Sequence, residues 1–288
     1  MKWLSVLELL RPHQWLKNLF VLAPLFFSFH FTEVNMVAAV FGFVLFSLAA
    51  SSIYVLNDYH DIEEDRQHPT KCHRPLASGA VTKPQAILLM LGLWGVVSVG
   101  AYLLNPTFLA IVIAYVFLNM LYSFKLKHIP ILDITIIAIG FVLRVFAGAV
   151  LIAVTPTMWI VLVTFLLALF LALAKRRDDC LLAQDGLKTR KNIDGYNLEL
   201  VNAAMVLMAA VTLVSYIMYT VSPEVVVRFG SDYLYLTALF VIVGILRYMQ
   251  ITFVEENSGS PTKLLLKDRF LQLTLVGWVV SFGLIKLL

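Results

Sequence analysis

The chain alternates long apolar segments with short polar connections. An apolar run of about 20 residues crosses the hydrocarbon core of a bilayer as an α-helix. The pattern predicts nine such spans, at residues 18–32, 36–56, 85–104, 106–124, 130–153, 156–175, 199–221, 232–253 and 269–288. The first span is short and contains Pro24, so a re-entrant turn is the alternative there.

The N-terminal residues 1–17 have a different pattern, in which apolar and polar positions alternate over a few turns. This pattern predicts an amphipathic segment that lies at the membrane surface. Further along, Gly140, Gly148 and Gly244 fall inside predicted spans, where glycine allows neighbouring helices to approach closely.

Composition supports a polytopic membrane protein of the all-α class. The chain has 288 residues, of which 60% are hydrophobic and 14% charged, and its mean hydropathy is +0.87. A soluble domain is excluded by these values, and nothing in the charge pattern implies nucleic acid. We expect a single transmembrane domain over residues 1–288. Cys72 and Cys180 are too few for a disulfide framework and are expected to be free thiols.

Basic residues give the orientation. If the N-terminus and every second loop share one side of the membrane, that side receives 18 of the 22 Lys and Arg residues. The positive-inside rule then places the N-terminus and the two long polar segments, 57–84 and 175–198, in the cytoplasm. This orientation requires the first predicted span to cross the membrane.

The densest run of charge, residues 57–79, contains the strongest candidate site. Asp58, Asp61 and Asp65 are spaced by three and four, so a helix would place all three carboxylates on one face, with Asn57 beside them. Acids at a helix C-terminus repel one another and oppose the helix dipole, so this arrangement is unfavourable unless a cation is bound between them. Oxygen ligands favour Mg²⁺, which shares its coordination shell with substrate phosphates. A solvated loop is the alternative interpretation.

Basic residues follow the acids and could hold phosphate oxygens. They are Arg66, His68, Lys71 and Arg74. The sixth predicted span ends in a second charged motif, KRRDD, from Lys175 and Arg176 to the acids Asp178 and Asp179. If the two motifs faced one cavity, they could hold two Mg²⁺ ions bridged by a diphosphate. The bases alone would also suit a membrane anchor.

Two further groups of polar residues come from the fourth and fifth spans. Tyr122, Lys125 and Lys127 lie at the end of the fourth span, and Asp133 and Arg144 share a face of the fifth. An arginine that deep in a span faces a polar cavity or a partner. For Arg144 the sequence leaves two alternatives, which are binding of substrate and pairing with another residue inside the helix bundle.

The motif NDYHDIEED at 57–65, followed by RPLASG at 74–79 and by the later acid pair, resembles the UbiA superfamily of intramembrane prenyltransferases. The resemblance covers essentially the whole chain. It implies a nine-helix bundle in which two aspartate-rich motifs bind Mg²⁺ and a diphosphate at a cytoplasmic mouth, with a lateral opening for lipid.

Within the superfamily, the segments 11–18, 65–71, 126–128 and 264–272 look most like those of decaprenyl-phosphate phosphoribosyltransferases. That resemblance implies transfer of 5-phosphoribose from phosphoribosyl pyrophosphate to a polyprenyl phosphate, in a bacterial cytoplasmic membrane, for precursors of cell-envelope polysaccharide. The acids would hold Mg²⁺, the bases would grip the sugar donor, and Arg11 and Lys17 would meet the lipid phosphate. No oligomeric state is implied.

Two other functions stay open. KRRDD is closer in acidity to the second motif of aromatic prenyltransferases, whereas similar phosphoribosyltransferases carry KRYAE there. An aromatic prenyltransferase that uses a polyprenyl diphosphate is therefore the alternative. A transporter would also explain an intramembrane arginine, but the charged clusters gather on one face only.

Overall fold

The computed structural model describes residues 3–67, 71–184, 193–256 and 261–287, and all regular structure in these ranges is helical. The α-helices are α1 Trp3–Leu10, α2 Ala23–Ser28, α3 Glu33–His60, α4 Ile62–Arg66, α5 Lys83–Leu104, α6 Pro106–Phe124, α7 Leu132–Leu151, α8 Met158–Gln184, α9 Leu198–Thr220, α10 Pro223–Phe229, α11 Ala238–Phe253, α12 Pro261–Lys267 and α13 Arg269–Leu287. Shorter 3₁₀ helices cover Pro12–Val21, Lys71–His73, Leu126–His128, Ile193–Gly195 and Asp232–Thr237.

Eight helices in the described ranges are long and apolar enough to cross a membrane. They are α3, α5, α6, α7, α8, α9, α11 with the 3₁₀ turn before it, and α13. The predicted all-α polytopic fold is thereby confirmed. Helix α8 runs to Gln184, beyond the predicted end at 175, because a helix continues through polar residues once it has left the apolar layer.

The predicted first span is not one long α-helix. The 3₁₀ helix Pro12–Val21 and the short α2 together follow α3 in the antiparallel direction. Hydrogen bonds join Trp15 to Ser51 and Asn18 to Ser47, both at 3.0 Å.

At the two ends of this segment, Arg11 meets Asp58, and Leu25 packs in one cluster with Ala39. The distance from residue 58 to residue 39 along α3 is about 28 Å at 1.5 Å per residue. This is close to the bilayer core of about 30 Å. The segment therefore has the length of a span, as the distribution of basic residues requires.

Two compact units make up the chain. The first comprises residues up to Phe124 together with Leu143–Pro156, and the second comprises Lys125–Val142 and Thr157–Leu288. The expectation of a single domain over 1–288 stays a prediction.

The core of the first unit packs α3 against α5 and α6, with Phe46 and Phe108 fully buried. Small residues on α3, such as Ala49, allow this close packing. Gly148 of α7 lies against the backbone of Val21, where any side chain would overlap with the carbonyl group. The predicted role of Gly148 in close approach is confirmed.

The core of the second unit packs α8 along α9 and α11 against α13. Arg177 of α8 is buried and joins three of these helices. Its guanidinium donates to the Asn202 side chain of α9 at 3.0 Å and to the Thr252 carbonyl of α11 at 2.7 Å. This residue of the KRRDD motif therefore holds helices together.

Candidate active site

The first acidic motif lies on a nearly continuous helical path. The backbone N–H of Asp61 donates to the Asn57 carbonyl, and that of Asp65 donates to the Asp61 carbonyl. The path from α3 into α4 is therefore helical in its hydrogen bonding, although Asp61 itself belongs to neither helix. Asp58 and Asp65, seven residues apart, point to the same side.

One arginine joins these two carboxylates. Nη1 of Arg74 lies 3.1 Å from Oδ1 of Asp58 and 2.7 Å from Oδ2 of Asp65. Arg11 adds a second guanidinium, 2.5 Å from the same oxygen of Asp58. Asp58 and Asp65 are only 2% and 3% exposed. Buried charges need opposite charges beside them, and Arg11 and Arg74 supply these to the two buried carboxylates.

Local packing fixes Arg74 in place. Leu76 and Val81, from the segment that follows Arg74, pack with Val55 of α3 and Ile62 of α4. Arg66 strengthens the turn by donating from Nε to the Ala77 carbonyl at 3.2 Å. The apolar residues of the RPLASG segment therefore pack on α3 and α4, and this packing places the Arg74 guanidinium beside Asp58 and Asp65.

Asp61 has a different environment from its two neighbours. Its side chain is 26% exposed, and its Oδ1 lies 3.0 Å from Nδ1 of His60. Of the three acids it has the best access to solvent, and thus to a ligand that enters from water.

The acids fit the way proteins bind magnesium. The described ranges contain no group of three or more His, Cys, Asp or Glu side chains that could hold a metal ion. Magnesium seldom requires such a group, because it keeps waters and uses one or two carboxylates together with substrate phosphates. Asp58 and Asp65 converge on Arg74 and so bring two carboxylates together, and their role as magnesium ligands stays a prediction.

The second acidic motif is built around Arg176, which is 1% exposed. Its Nε donates to Oδ2 of Asp133 at 2.7 Å, and its Nη1 donates to Asp179. The structure thus pairs Asp133 with Arg176, 43 residues away in the chain. Asp178 and Asp179 are half-buried, whereas Asp133 is wholly buried.

Tyr196 completes this second cluster, and the sequence did not point to it. Its hydroxyl donates to Oδ1 of Asp133 at 2.5 Å and accepts the N–H of Ile131 at 2.7 Å. Burial, together with the hydrogen bond to Asp133, raises the pKa of Tyr196 well above its ordinary value. The hydroxyl therefore stays a donor at any physiological pH.

Arg144 lies inside the first unit and is 5% exposed. It donates to the side-chain oxygen of Asn18 at 2.8 Å and to the Tyr115 hydroxyl at 2.9 Å. Its guanidinium also lies over the rings of Phe46 and Tyr115. These contacts connect the 3₁₀ span, α6 and α7, and a role of Arg144 toward substrate stays a prediction.

The other predicted binding residues are distributed around these clusters. Lys71, Lys125 and Lys175 are exposed, while Lys17, Tyr122 and Lys127 are half-buried. His68 lies outside the described residues. The first acidic cluster belongs to the first unit and the second cluster to the second unit, so a shared two-magnesium cavity also stays a prediction.

Comparison with known proteins assigns the fold. Residues 19–274 match the UbiA prenyltransferase family. This chain belongs to that family. A UbiA homolog from Archaeoglobus fulgidus, solved bound to DMAPP and Mg²⁺, superposes with a TM-score of 0.73 at 20% identity, covering 98% of this chain and 99% of that one.

Two relatives extend over nearly the full length. The decaprenyl-phosphate phosphoribosyltransferase of Mycolicibacterium smegmatis is 35% identical over 293 residues, covering 97% of this chain and 91% of the relative. The enzyme of the same name from Corynebacterium glutamicum is 32% identical over 282 residues, covering 96% of this chain and 84% of the relative. The predicted resemblance to the UbiA superfamily is confirmed.

Proposed function

We propose that this UbiA family member transfers 5-phosphoribose from phosphoribosyl pyrophosphate to a polyprenyl phosphate of the decaprenyl type. The full-length similarity to two decaprenyl-phosphate phosphoribosyltransferases carries this proposal. The product would serve as a precursor of cell-envelope polysaccharide. The protein would act in the bacterial cytoplasmic membrane, with its N-terminus and acidic motifs on the cytoplasmic side.

The acidic residues suit a diphosphate leaving group. Those that would hold Mg²⁺ are Asp58, Asp61 and Asp65 in the first unit and Asp178 and Asp179 in the second. Bound Mg²⁺ supplies positive charge to the diphosphate oxygens as the bond to the sugar breaks. Arg11 and Arg74 form ion pairs with Asp58, and Arg74 also forms one with Asp65.

The transfer itself balances without a strong base. An oxygen of the lipid phosphate forms a bond to the anomeric carbon, and the bond from that carbon to the diphosphate breaks, with the electron pair leaving on the diphosphate. A phosphate monoester is largely ionised near neutral pH, so it needs no proton removed. It does need cations. Arg11 is paired with Asp58, so Lys17, a half-buried residue of the 3₁₀ span, is the candidate for contact with the lipid phosphate.

The first experiment is a transfer assay with the purified protein, Mg²⁺, decaprenyl phosphate and phosphoribosyl pyrophosphate labelled in its ribose. We expect label to move into the organic phase and to stay in water when EDTA is added. Asp61→Asn is expected to abolish transfer, because the acid most accessible to a ligand loses its charge.

Glu64→Gln is the matched control for this assay. It removes one negative charge from an exposed position of the same acidic segment, and activity should be retained. Retained activity in Asp61→Asn would exclude this motif from catalysis.

An aromatic prenyltransferase is the second candidate. The acid pair of KRRDD favours it, and the solved Archaeoglobus fulgidus homolog was bound to DMAPP and Mg²⁺. This alternative would be supported if the folded protein does not use phosphoribosyl pyrophosphate as a donor. It should then transfer a labelled prenyl group from a polyprenyl diphosphate to an aromatic acceptor.

A further inference from the structure

A chain of four side chains runs through the second unit. The Tyr196 hydroxyl donates to Oδ1 of Asp133, whose other oxygen accepts Nε of Arg176, and Nη1 of Arg176 donates to Asp179. Tyr196 lies 63 residues from Asp133 and directly before α9. The chain thus joins the segment that precedes α9 to the acid at the C-terminal part of α8.

The central pair of this chain has little freedom to move. Asp133 and Arg176 are 0% and 1% exposed, and a guanidinium is a rigid planar fork. Once Asp133 fixes the Nε edge of Arg176, the direction of Nη1 is fixed as well. The orientation of Asp179 therefore depends on how Asp133 is held.

Tyr196 holds Oδ1 of Asp133 through the hydrogen bond from its hydroxyl. The backbone around Tyr196 is shaped for that contact. Ile131 adopts φ 67°, a left-handed conformation that is unfavourable for a β-branched residue. In this conformation its N–H points to the Tyr196 hydroxyl. Gly195 lies so close to Pro130 that a side chain there would overlap with the proline ring.

We propose that Tyr196 is a positioning residue, which acts through Asp133 and Arg176 to hold Asp179 in the orientation that binds the metal–diphosphate. The proposal rests on the proposed function in so far as that function assigns Asp179 to the metal. It makes the affinity for metal depend on docking of the segment Ile193–Tyr196. A purely structural tyrosine would affect stability alone.

The test compares Tyr196→Phe with Tyr216→Phe. Tyr216 is a buried tyrosine of the same unit whose hydroxyl also has two partners, Thr237 at 2.6 Å and Trp278 at 2.7 Å. Both variants lose two hydrogen bonds and keep the ring, so similar decreases in thermal stability are expected. Only Tyr196→Phe should alter metal binding.

Binding is measured without turnover, by electron paramagnetic resonance of Mn²⁺ with inorganic pyrophosphate and the full-length protein in detergent. Tyr196→Phe should weaken Mn²⁺ binding about tenfold, as is typical when a group that orients a metal ligand is removed. In the activity assay the half-saturating Mg²⁺ concentration should rise by the same factor, while the KM for lipid phosphate stays unchanged.

A double mutant separates positioning from an indirect effect. Because the influence of Tyr196 passes through Asp179, Tyr196→Phe should add no further weakening in an Asp179→Asn background. If Tyr196→Phe does not yield folded protein, Gly195→Ala is the second variant. Its added methyl group displaces the segment from Pro130 but keeps the hydroxyl, and it should weaken Mn²⁺ binding in the same way.

The two proposals fail in distinguishable ways. Unchanged Mn²⁺ affinity in a folded Tyr196→Phe variant would overturn the positioning role, whatever substrate the enzyme uses. Absence of phosphoribosyl transfer by the wild type, with weakened Mn²⁺ binding in Tyr196→Phe, would overturn the proposed substrate and leave the positioning role supported.

Discussion

Arg74 serves two buried carboxylates at once, so its removal should cost more than the loss of one ion pair. We expect Arg74→Gln to lower the free energy of unfolding by about 3 kcal/mol, because two buried carboxylates, Asp58 and Asp65, would lose the ion pairs that they share with Arg74. Thermal unfolding in detergent measures this. Adding Asp65→Asn should restore part of the stability but none of the activity, and an additive double mutant would contradict the shared pairing.

Lys17 belongs to the 3₁₀ span and is half-buried. If it meets the lipid phosphate, Lys17→Ala should raise the KM for the polyprenyl phosphate several-fold and leave the KM for the sugar donor unchanged. Steady-state kinetics with each substrate varied in turn measure both constants. Equal changes in the two constants would argue against contact with the acceptor.

Asp268 provides a prediction for pH. Its hydrogen bond from Arg247 of α11, at 2.7 Å, lowers the pKa of this carboxyl below its ordinary value. A lowered pKa stabilises the fold above the ordinary pKa, and this stabilisation is lost as the pH falls through the lowered value. Asp268→Asn should therefore reduce the Tm at pH 7, and the difference from wild type should shrink as the pH falls below 3.8 and disappear once the pH is below the lowered pKa. A difference that does not depend on pH would exclude this ion pair as its source.

At the scale of elements, the 3₁₀ span is held against α7 at Gly148. Gly148→Ala should lower the Tm, because the methyl group would meet the backbone of Val21, which cannot move as a side chain can. Gly92→Ala of α5 is the control, since nothing lies within 4 Å of its added methyl group. Alanine is the better helix former by about 1 kcal/mol, so this control should be neutral or stabilising.

Hydrophobic run length was sufficient to predict the eight long helices but not the form of the first span. A run that is short and contains Pro24 is compatible with a re-entrant turn, an α-helix or a 3₁₀ helix. The choice depends on partners elsewhere, because Trp15 and Asn18 find their hydrogen bonds on α3. Tertiary contacts of this kind leave no local signal.

At the scale of the whole molecule, the proposed cytoplasmic position of the acidic motifs is testable by labelling. With Cys180 replaced by serine, Cys72 should react with a membrane-impermeant thiol reagent in inverted membrane vesicles and not in intact cells. A cysteine at Asp232, the exposed first residue of the 3₁₀ helix before α11, should show the reverse in a background without other cysteines. Labelling of Cys72 from outside would invert the proposed topology.

The two acidic clusters differ in how far the sequence could predict them. The first is mostly local, and its spacing of three and four residues together with the nearby Arg74 can be read from one stretch of chain, whereas its second guanidinium, Arg11, comes from 47 residues before Asp58. The second depends on Asp133 and Tyr196, which lie 43 residues before Arg176 and 20 after it. The sequence places Asp133 on the same helix face as Arg144, but the hydrogen-bond partners of Asp133 lie on other elements.

The 3₁₀ span also affects how the protein enters the bilayer. In hydrocarbon, polar side chains such as Asn18 and Lys17 are costly until they reach a partner. The partners of Asn18 are Ser47 of α3 and Arg144 of α7, and both follow it in the chain. The ribosome delivers residues 12–28 before α3 exists. We therefore expect this segment to remain at the surface until α3 has been synthesised, so that the two segments insert as a pair or in the reverse of their order of synthesis.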